Sequence, residues 1–315
     1  MAKLITELLD IKYPLFQGGM AWVSDASLAA PVSNAGGAGI VSAAGRSPEY
    51  VRQEIRRMRT LTDKPFGVNI MLMAPDAKEI VEAICEEKPA FVTLGAGNPV
   101  PYIAPLHAAG VKVIPVIPNV KLAKRCADAG ADAIVAEGME SGGHIGVLNT
   151  LPLMTQVIPA VDIPVLAAGG IADGRGVAAA LLMGAAGVQI GTAFLVAEEC
   201  PIPFNVKEAL INAVETDTIV TGWTMPGSQC RGIKSKFAVD FVAKENEGST
   251  PKDELEKLAT GSYRRACVDG DLENGMMLAG QSLRPLQKIE PATAIIERLM
   301  QEAKETLAKA AEIKL

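Results

Sequence analysis

The sequence predicts an α/β chain, an eight-stranded β/α barrel with a lid subdomain inserted after its eighth strand, and three observations lead there. Short apolar runs recur at Pro14–Gly19, Ala38–Ala44, Pro65–Met71, Phe91–Gly97, Val111–Ile117, Ala133–Gly138, Pro164–Gly170 and Gly187–Phe194. Helical patterns alternate with them, among them Pro48–Thr60, Asp76–Glu87, Val120–Ala129 and Gly174–Met183, and several end in glycine or Lys-Pro. The runs are nearly continuous in apolar residues, as parallel strands buried on both faces require. Eight such units before residue 200, most with a glycine-rich end, favour a closed TIM barrel over a doubly wound open sheet.

The remaining elements follow in order. Met1–Pro14 reads as a short amphipathic helix with Leu4, Ile5, Leu8 and Leu9 on one side. Gly36-Gly37-Ala38-Gly39 enters the second strand, the wrong context for a dinucleotide fingerprint, and is expected to be a tight helix-to-strand turn. From about Cys200 to Gln281 the rhythm breaks into a helical pattern (Asn205–Val214), a Gly/Pro-bearing stretch (Gly222–Gly232) and a charged region (Lys244–Lys257). Pro291–Ile313 then returns as a long Ala-, Glu- and Lys-rich helix that should pack back on the barrel. The expected division is therefore 1–199 with 282–315 as barrel, and 200–281 as lid.

The 315 residues are 49% hydrophobic and 21% charged, enough for a sizeable core, and only 4% aromatic, with 30 Gly and 20 Pro. A formal charge of −6 gives no basic face for nucleic acid. Five scattered cysteines and two histidines offer no zinc cage, so no metal site is expected, and the odd number of thiols suggests a reducing compartment. Neither a signal peptide nor an 18-residue apolar run stands in the chain, so a cytoplasmic protein that does not span a membrane is expected. No Gly-x-x-x-x-Gly-Lys-Ser/Thr loop is present, which argues against a P-loop hydrolase.

Barrel sites lie at the C-terminal strand ends, with phosphate often held after strands seven and eight. The seventh run ends Ala168-Gly169-Gly170-Ile171 and the eighth runs Gln189-Ile190-Gly191-Thr192. Glycines there let backbone N–H groups approach an anion, Thr192 adds a hydroxyl, and the helix opening near Asp173 offers its dipole; tight turns are the plainer reading. After the sixth run, Glu137–Gly146 places His144 among glycines, where core packing explains it poorly and proton transfer explains it well. His107, beside Leu106 and Ala108 in a helical pattern, is read as structural. Gln17 and Asn69 serve either a flat ligand or the core, Glu137 can accept from a hydroxyl or a ring N–H, and Glu140 is equally at home in solvent.

Gln17-Gly18-Gly19-Met20, Asn69, Glu137–Gly146, Ala168-Gly169-Gly170-Ile171-Ala172-Asp173-Gly174 and Gln189-Ile190-Gly191-Thr192 occur in that order. Together they resemble the FMN-barrel family of nitronate monooxygenases and bacterial enoyl-acyl-carrier-protein reductase II, over nearly the whole chain. Met139-Glu140-Ser141-Gly142-Gly143-His144-Ile145-Gly146 is similar to the reductase form, since the monooxygenases usually carry Arg where this chain has Ile145. Gly275–Gln281 is likewise similar to a late reductase segment that returns to the site.

The resemblance implies FMN held noncovalently by Gly19, Met20, Asn69, Glu137, Gly142, Gly143, Gly169, Gly170, Gln189, Ile190, Gly191 and Thr192, with His144 catalytic. It implies NADH, or NADPH in its place, as hydride source and a trans-2-enoyl thioester on acyl carrier protein as acceptor, in fatty acid synthesis. Family members are often homodimers, and some respond to a monovalent cation. Docking an acidic carrier protein on an acidic chain needs a local basic patch, for which Arg231, Lys234 and Lys236 are candidates, a solvated charged face being the other reading. Nitronate oxidation by oxygen on the same flavin, and a non-redox barrel that binds a phosphate ligand, are the competing functions.

Overall fold

The computed structural model describes residues 5–314 apart from Pro226. Its strands are β1 (Leu15–Gln17), β2 (Gly39–Ser42), β3 (Phe66–Met71), β4 (Phe91–Gly95), β5 (Lys112–Ile117), β6 (Ile134–Glu137), β7 (Gly143–His144), β8 (Val165–Ala168), β9 (Gly187–Ile190), β10 (Thr218–Thr221) and β11 (Cys230–Ile233). The helices are α1 (Ile5–Leu9), α2 (Ala26–Asn34), α3 (Pro48–Leu61), α4 (Ala77–Glu87), α5 (Val100–Ala108), α6 (Val120–Asp128) and α7 (Thr150–Val157). They continue with α8 (Gly174–Leu182), α9 (Phe204–Asn212), α10 (Lys236–Glu247), α11 (Lys252–Ala259), α12 (Ser262–Cys267) and α13 (Ala292–Ala310).

Eight strands form one parallel sheet in the order β1-β9-β8-β6-β5-β4-β3-β2. A parallel bridge between Phe16 and Ala38 brings its two ends together, with Gln17 N–H donating to Ala38 O at 3.0 Å and Ala38 N–H to Leu15 O at 2.8 Å. The result is a nearly closed TIM-type barrel, as the apolar runs predict. Side chains alternate across each strand and so build two cores. One contains Phe16, Ile40, Phe91, Ile114, Val135 and Leu166 from six strands, closed by Ile5 and Leu9 of α1. The other lies between the sheet and the surrounding helices.

Local chemistry starts the helices where the sequence places them. Asp25 caps α2, Ser47 followed by Pro48 opens α3, Asn119 caps α6, and Asp173 caps α8. One expected strand is too long: after Ile190 the run expected to end at Phe194 turns into a 3-10 helix, Thr192–Val196. Of the expected N-terminal helix, Ile5–Leu9 is helical, and Leu4 lies outside the described residues.

In the 200–281 segment, β10 and β11 form an antiparallel pair, and β11 pairs in turn with β7, the two-residue strand that contains His144. Met225, Phe241 and Leu255 form a small apolar cluster of their own there. The long helix α13 packs on α8 and α2. No described helix is long and apolar enough to cross a membrane.

Candidate active site

The C-terminal ends of the barrel strands converge on one cavity of about 410 Å³. His144 lines it together with Gly19, Met20, Asn69, Glu137, Gly142, Gly143, Gly169, Gly170, Gln189, Gly191 and Thr192. Ile190 is a correction to the expected set. Alternation along β9 turns Gln189 to the cavity and Ile190 to the helices, where it is 1% exposed and its carbonyl accepts from Gly18 N–H at 2.8 Å. Gln17 is also a core residue: it is fully buried, its Oε1 accepts from Ile40 N–H at 3.1 Å and its Nε2 donates to Ser24 Oγ at 2.9 Å.

The loop after β6 is fixed from several sides. Both Glu140 oxygens accept from Thr150 N–H, at 3.1 and 3.0 Å, so this carboxylate caps α7 and is not simply solvated. Arg231, only 6% exposed, donates from Nε to Met139 O at 3.0 Å and from Nη1 to Thr218 Oγ1 at 3.0 Å. That removes Arg231 from the carrier-docking candidates, because β11 turns it under the His144 loop. Lys234 and Lys236 are exposed, and Lys236 pairs with Asp240 at 2.5 Å. Gln281 N–H donates to Glu140 O at 2.9 Å, and Gly280 N–H to Thr192 Oγ1 at 2.9 Å. A Cβ on Gly142 would stand 2.7 Å from Ala279 Cα, so glycine there lets the late segment lie directly on the loop.

Thr192 accepts from Gly280 and keeps its own hydroxyl proton to give to an anion. Gly170 has φ +74, and the nearest atom to a Cβ built on it is Glu140 Cβ at 3.4 Å. The α8 N-terminus does not take the expected part. Asp173 Oδ1 accepts Gly176 N–H at 2.8 Å and Glu302 Oε2 accepts Gly174 N–H at 2.9 Å, so two carboxylates already fill that helix end.

Two carboxylate and imidazole groups are tuned by their surroundings. Burial pushes the Glu137 carboxyl up to about 7. His144 is exposed to the cavity, yet the protein around it displaces enough water to lower its pKa below the usual histidine value. No side chain or backbone group among the described residues hydrogen-bonds its ring. His107, by contrast, bonds Asp132 Oδ2 at 2.7 Å on α5, as a structural residue would.

The residues fit an FMN. Gln189 Oε1 and Ser141 Oγ are buried at the cavity without a hydrogen-bond partner, which is costly unless a ligand supplies one. Asn69 is tethered through Nδ2 to Thr93 Oγ1 at 2.9 Å, leaving its carbonyl oxygen free. Ser141, Tyr263 of α12, Leu278 and Gly280 line the cavity beyond the expected set. Ser141 stood inside the recognised loop, whereas nothing local marks Tyr263, which arrives from a charged helical stretch.

Residues 2–302 match the family described as nitronate monooxygenase. A solved structure of FabK from Thermotoga maritima is 45% identical, with 99% of each chain covered and a TM-score of 0.95. A nitroalkane oxidase from Streptomyces ansochromogenes is 30% identical over 97% of this chain and 99% of that one, with a TM-score of 0.84. A probable nitronate monooxygenase from Staphylococcus aureus is 34% identical over 94% of this chain and 96% of its own. A Rhodococcus jostii protein named as a hydroxy-methyl-oxo-octahydro-indene-carboxyl-CoA dehydrogenase is 44% identical over 69% of this chain, which spans 62% of that relative's length.

Proposed function

We propose that this chain, which belongs to the nitronate monooxygenase family of flavin oxidoreductases, uses FMN and NAD(P)H to reduce trans-2-enoyl thioesters carried on acyl carrier protein. The observation that carries the proposal is the seating of Gly275–Gln281 on the His144 loop. Leu278 and Gly280 line the cavity, Gly280 holds Thr192, and Gln281 holds Glu140. Ile145, also at the cavity, stands where the monooxygenases usually carry Arg. The likeness to FabK and to a dehydrogenase named for a CoA thioester supports the same substrate chemistry.

Bound in the cavity, FMN supplies the relay that carries a hydride from the nicotinamide to the β-carbon of the enoyl group. Backbone N–H groups at Gly170, Gly191 and Thr192, with the Thr192 hydroxyl, would hold its phosphate. Gln189 Oε1 would accept a donor of the bound group, Glu137 would accept a hydroxyl, and Asn69 would present its carbonyl oxygen. His144 delivers the proton that completes the reduction at the thioester enolate, with both ring nitrogens free of protein partners. The 200–281 segment acts as a lid that reaches His144 through the β7–β11 pairing.

The test measures NADH oxidation by the purified protein with crotonyl thioester and with oxygen alone and, separately and without NADH, oxygen consumption with an alkyl nitronate. Turnover should be much the fastest with the thioester. Efficient nitronate oxidation with no enoyl reduction would move the chain to the monooxygenase reading, which the Staphylococcus and Streptomyces relatives favour.

A further inference from the structure

A second cluster of chemistry stands beside the cavity. Trp22 follows β1 with φ +64, a left-handed conformation that a large side chain rarely adopts. A Cβ on Gly45 would lie 2.8 Å from the indole, so the loop after β2 is stripped bare to admit this ring. Arg46 Cζ sits 4.4 Å from the Trp22 centroid and 4.5 Å from that of Tyr50, and Arg46 Nη2 donates to Trp22 O at 3.1 Å. Arg264 of α12 places its Cζ 5.6 Å from the same indole centroid.

Among the described residues Arg46 has no carboxylate partner within ion-pair distance. Arg264 has one, Asp269 at 3.1 Å, with side chains 47% and 45% exposed, a contact that solvent weakens. Ala21, Ala44 and Tyr263 line the cavity, and each lies within two residues of Trp22, Arg46 or Arg264, so the cluster stands at the rim. Two guanidiniums from separate segments converge on one ring, in a chain whose net charge is −6. An anion at this rim would meet both positive charges, and the guanidinium fork matches a phosphate.

We propose that Arg46 and Arg264, set on Trp22, bind the phosphate end of a long ligand whose reactive end lies in the cavity. Resting on the function proposed above, that phosphate belongs either to the pantetheine arm of the thioester or to the nicotinamide dinucleotide. The cluster joins barrel to lid, so a phosphate held there also holds α12 against the rim.

The experiment measures KM on the holoenzyme for crotonyl-CoA, for the crotonyl thioester of N-acetylcysteamine, which lacks phosphate, and for NADH. Arg264→Ala and Arg46→Ala should each raise KM for crotonyl-CoA about tenfold and for the short thioester less than twofold, with Arg46→Lys in between. A tenfold rise confined to NADH assigns the same site to the dinucleotide. If neither KM moves, the proposal fails. Arg264 is exposed, so its variant should fold even if Arg46→Ala does not. Should the wild-type protein reduce no thioester, the function proposed above fails, and calorimetric binding of coenzyme A and NAD⁺ to the holoenzyme decides this site. Weakening of either by Arg264→Ala supports it, and equal binding by variant and wild type overturns it.

Discussion

The two ends of this barrel use their side chains in opposite ways. Below, Phe16 and Phe91 stack at 5.0 Å between ring centroids, and Ile40, Ile114, Leu166 and Ile5 fill the space around them. Every group there is apolar and closely packed, so the end contributes stability and nothing reactive. Above, glycines replace side chains, Gln189 Oε1 and Ser141 Oγ stay without partners, and a carboxyl and an imidazole hold displaced pKa values. One end is complete by itself, and the other is complete only with a ligand. Both rest on the same strands, so the rigid lower end holds the upper groups in place without occupying them.

Substitutions at the two ends should therefore separate stability from function. His144→Ala should keep FMN and the fold while slowing enoyl reduction by about 10²- to 10⁴-fold. Flavin reduction by NADH should suffer less, because that step needs no proton from His144, and rapid mixing follows the two half-reactions by flavin absorbance. The pKa of His144 is lowered, so only a small imidazolium population gives the proton near neutrality. The wild-type rate of enoyl reduction should accordingly rise as pH falls below the ordinary histidine range, and His144→Ala should lose that rise. Equal slowing of both half-reactions would make His144 a positioning residue.

At the other end, Phe91→Ala should cost about 3–5 kcal/mol of stability in denaturant unfolding, by deleting half of the ring stack and leaving a cavity. Its surviving folded fraction should keep its KM for thioester. A large change in KM instead would show that the lower end is not independent of the site.

Glu137 gives a pH signature. Its folded value of about 7 lies above the ordinary 4.5, so the folded protein holds an extra proton between those values. The stabilising contribution is full below about pH 4.5 and is lost as pH rises through 7, about 3 kcal/mol in all. Flavin-free Glu137→Gln should thus show a flatter dependence of melting temperature on pH than flavin-free wild type. Parallel curves would remove the burial assignment.

Arg231→Met should have the smallest effect on FMN retention and a moderate one on rate, about tenfold in kcat, because it releases Met139 O and loosens the strand that presents His144. Arg231→Lys should restore little, since a lysine cannot span Met139 O and Thr218 Oγ1 together. Unchanged kcat in Arg231→Met would mean that the β7–β11 pairing alone fixes the loop.

The barrel was legible because each strand announces itself locally, as a short apolar run ended by glycine, and each helix by its cap. The His144 loop and the Gly169-Gly170 turn were legible for the same reason: reactive or bare positions stand out where packing would demand bulk. The errors arose where a neighbour distant in sequence decided the outcome. By sequence Asp173 marks an open helix end, but Glu302 of α13 fills it, and Arg231 resembles a surface charge, but β11 turns it beneath Met139. The strand after Gly187 ended at Ile190, because apolar content does not distinguish a strand from the buried 3-10 turn that follows.

Periodicity and glycine placement, properties of the chain alone, thus determined the eight-strand barrel and the end at which a site forms, while the resemblance to a known family pointed to the set of cofactor residues. Only tertiary structure decided which of those polar atoms remain free. Hydrogen-bond partners such as Ser24 for Gln17 and Thr150 for Glu140 are chosen by packing in three dimensions. The orphaned Gln189 and Ser141, the β11 strand beside His144 and the two arginines on Trp22 are therefore visible only once the chain is folded.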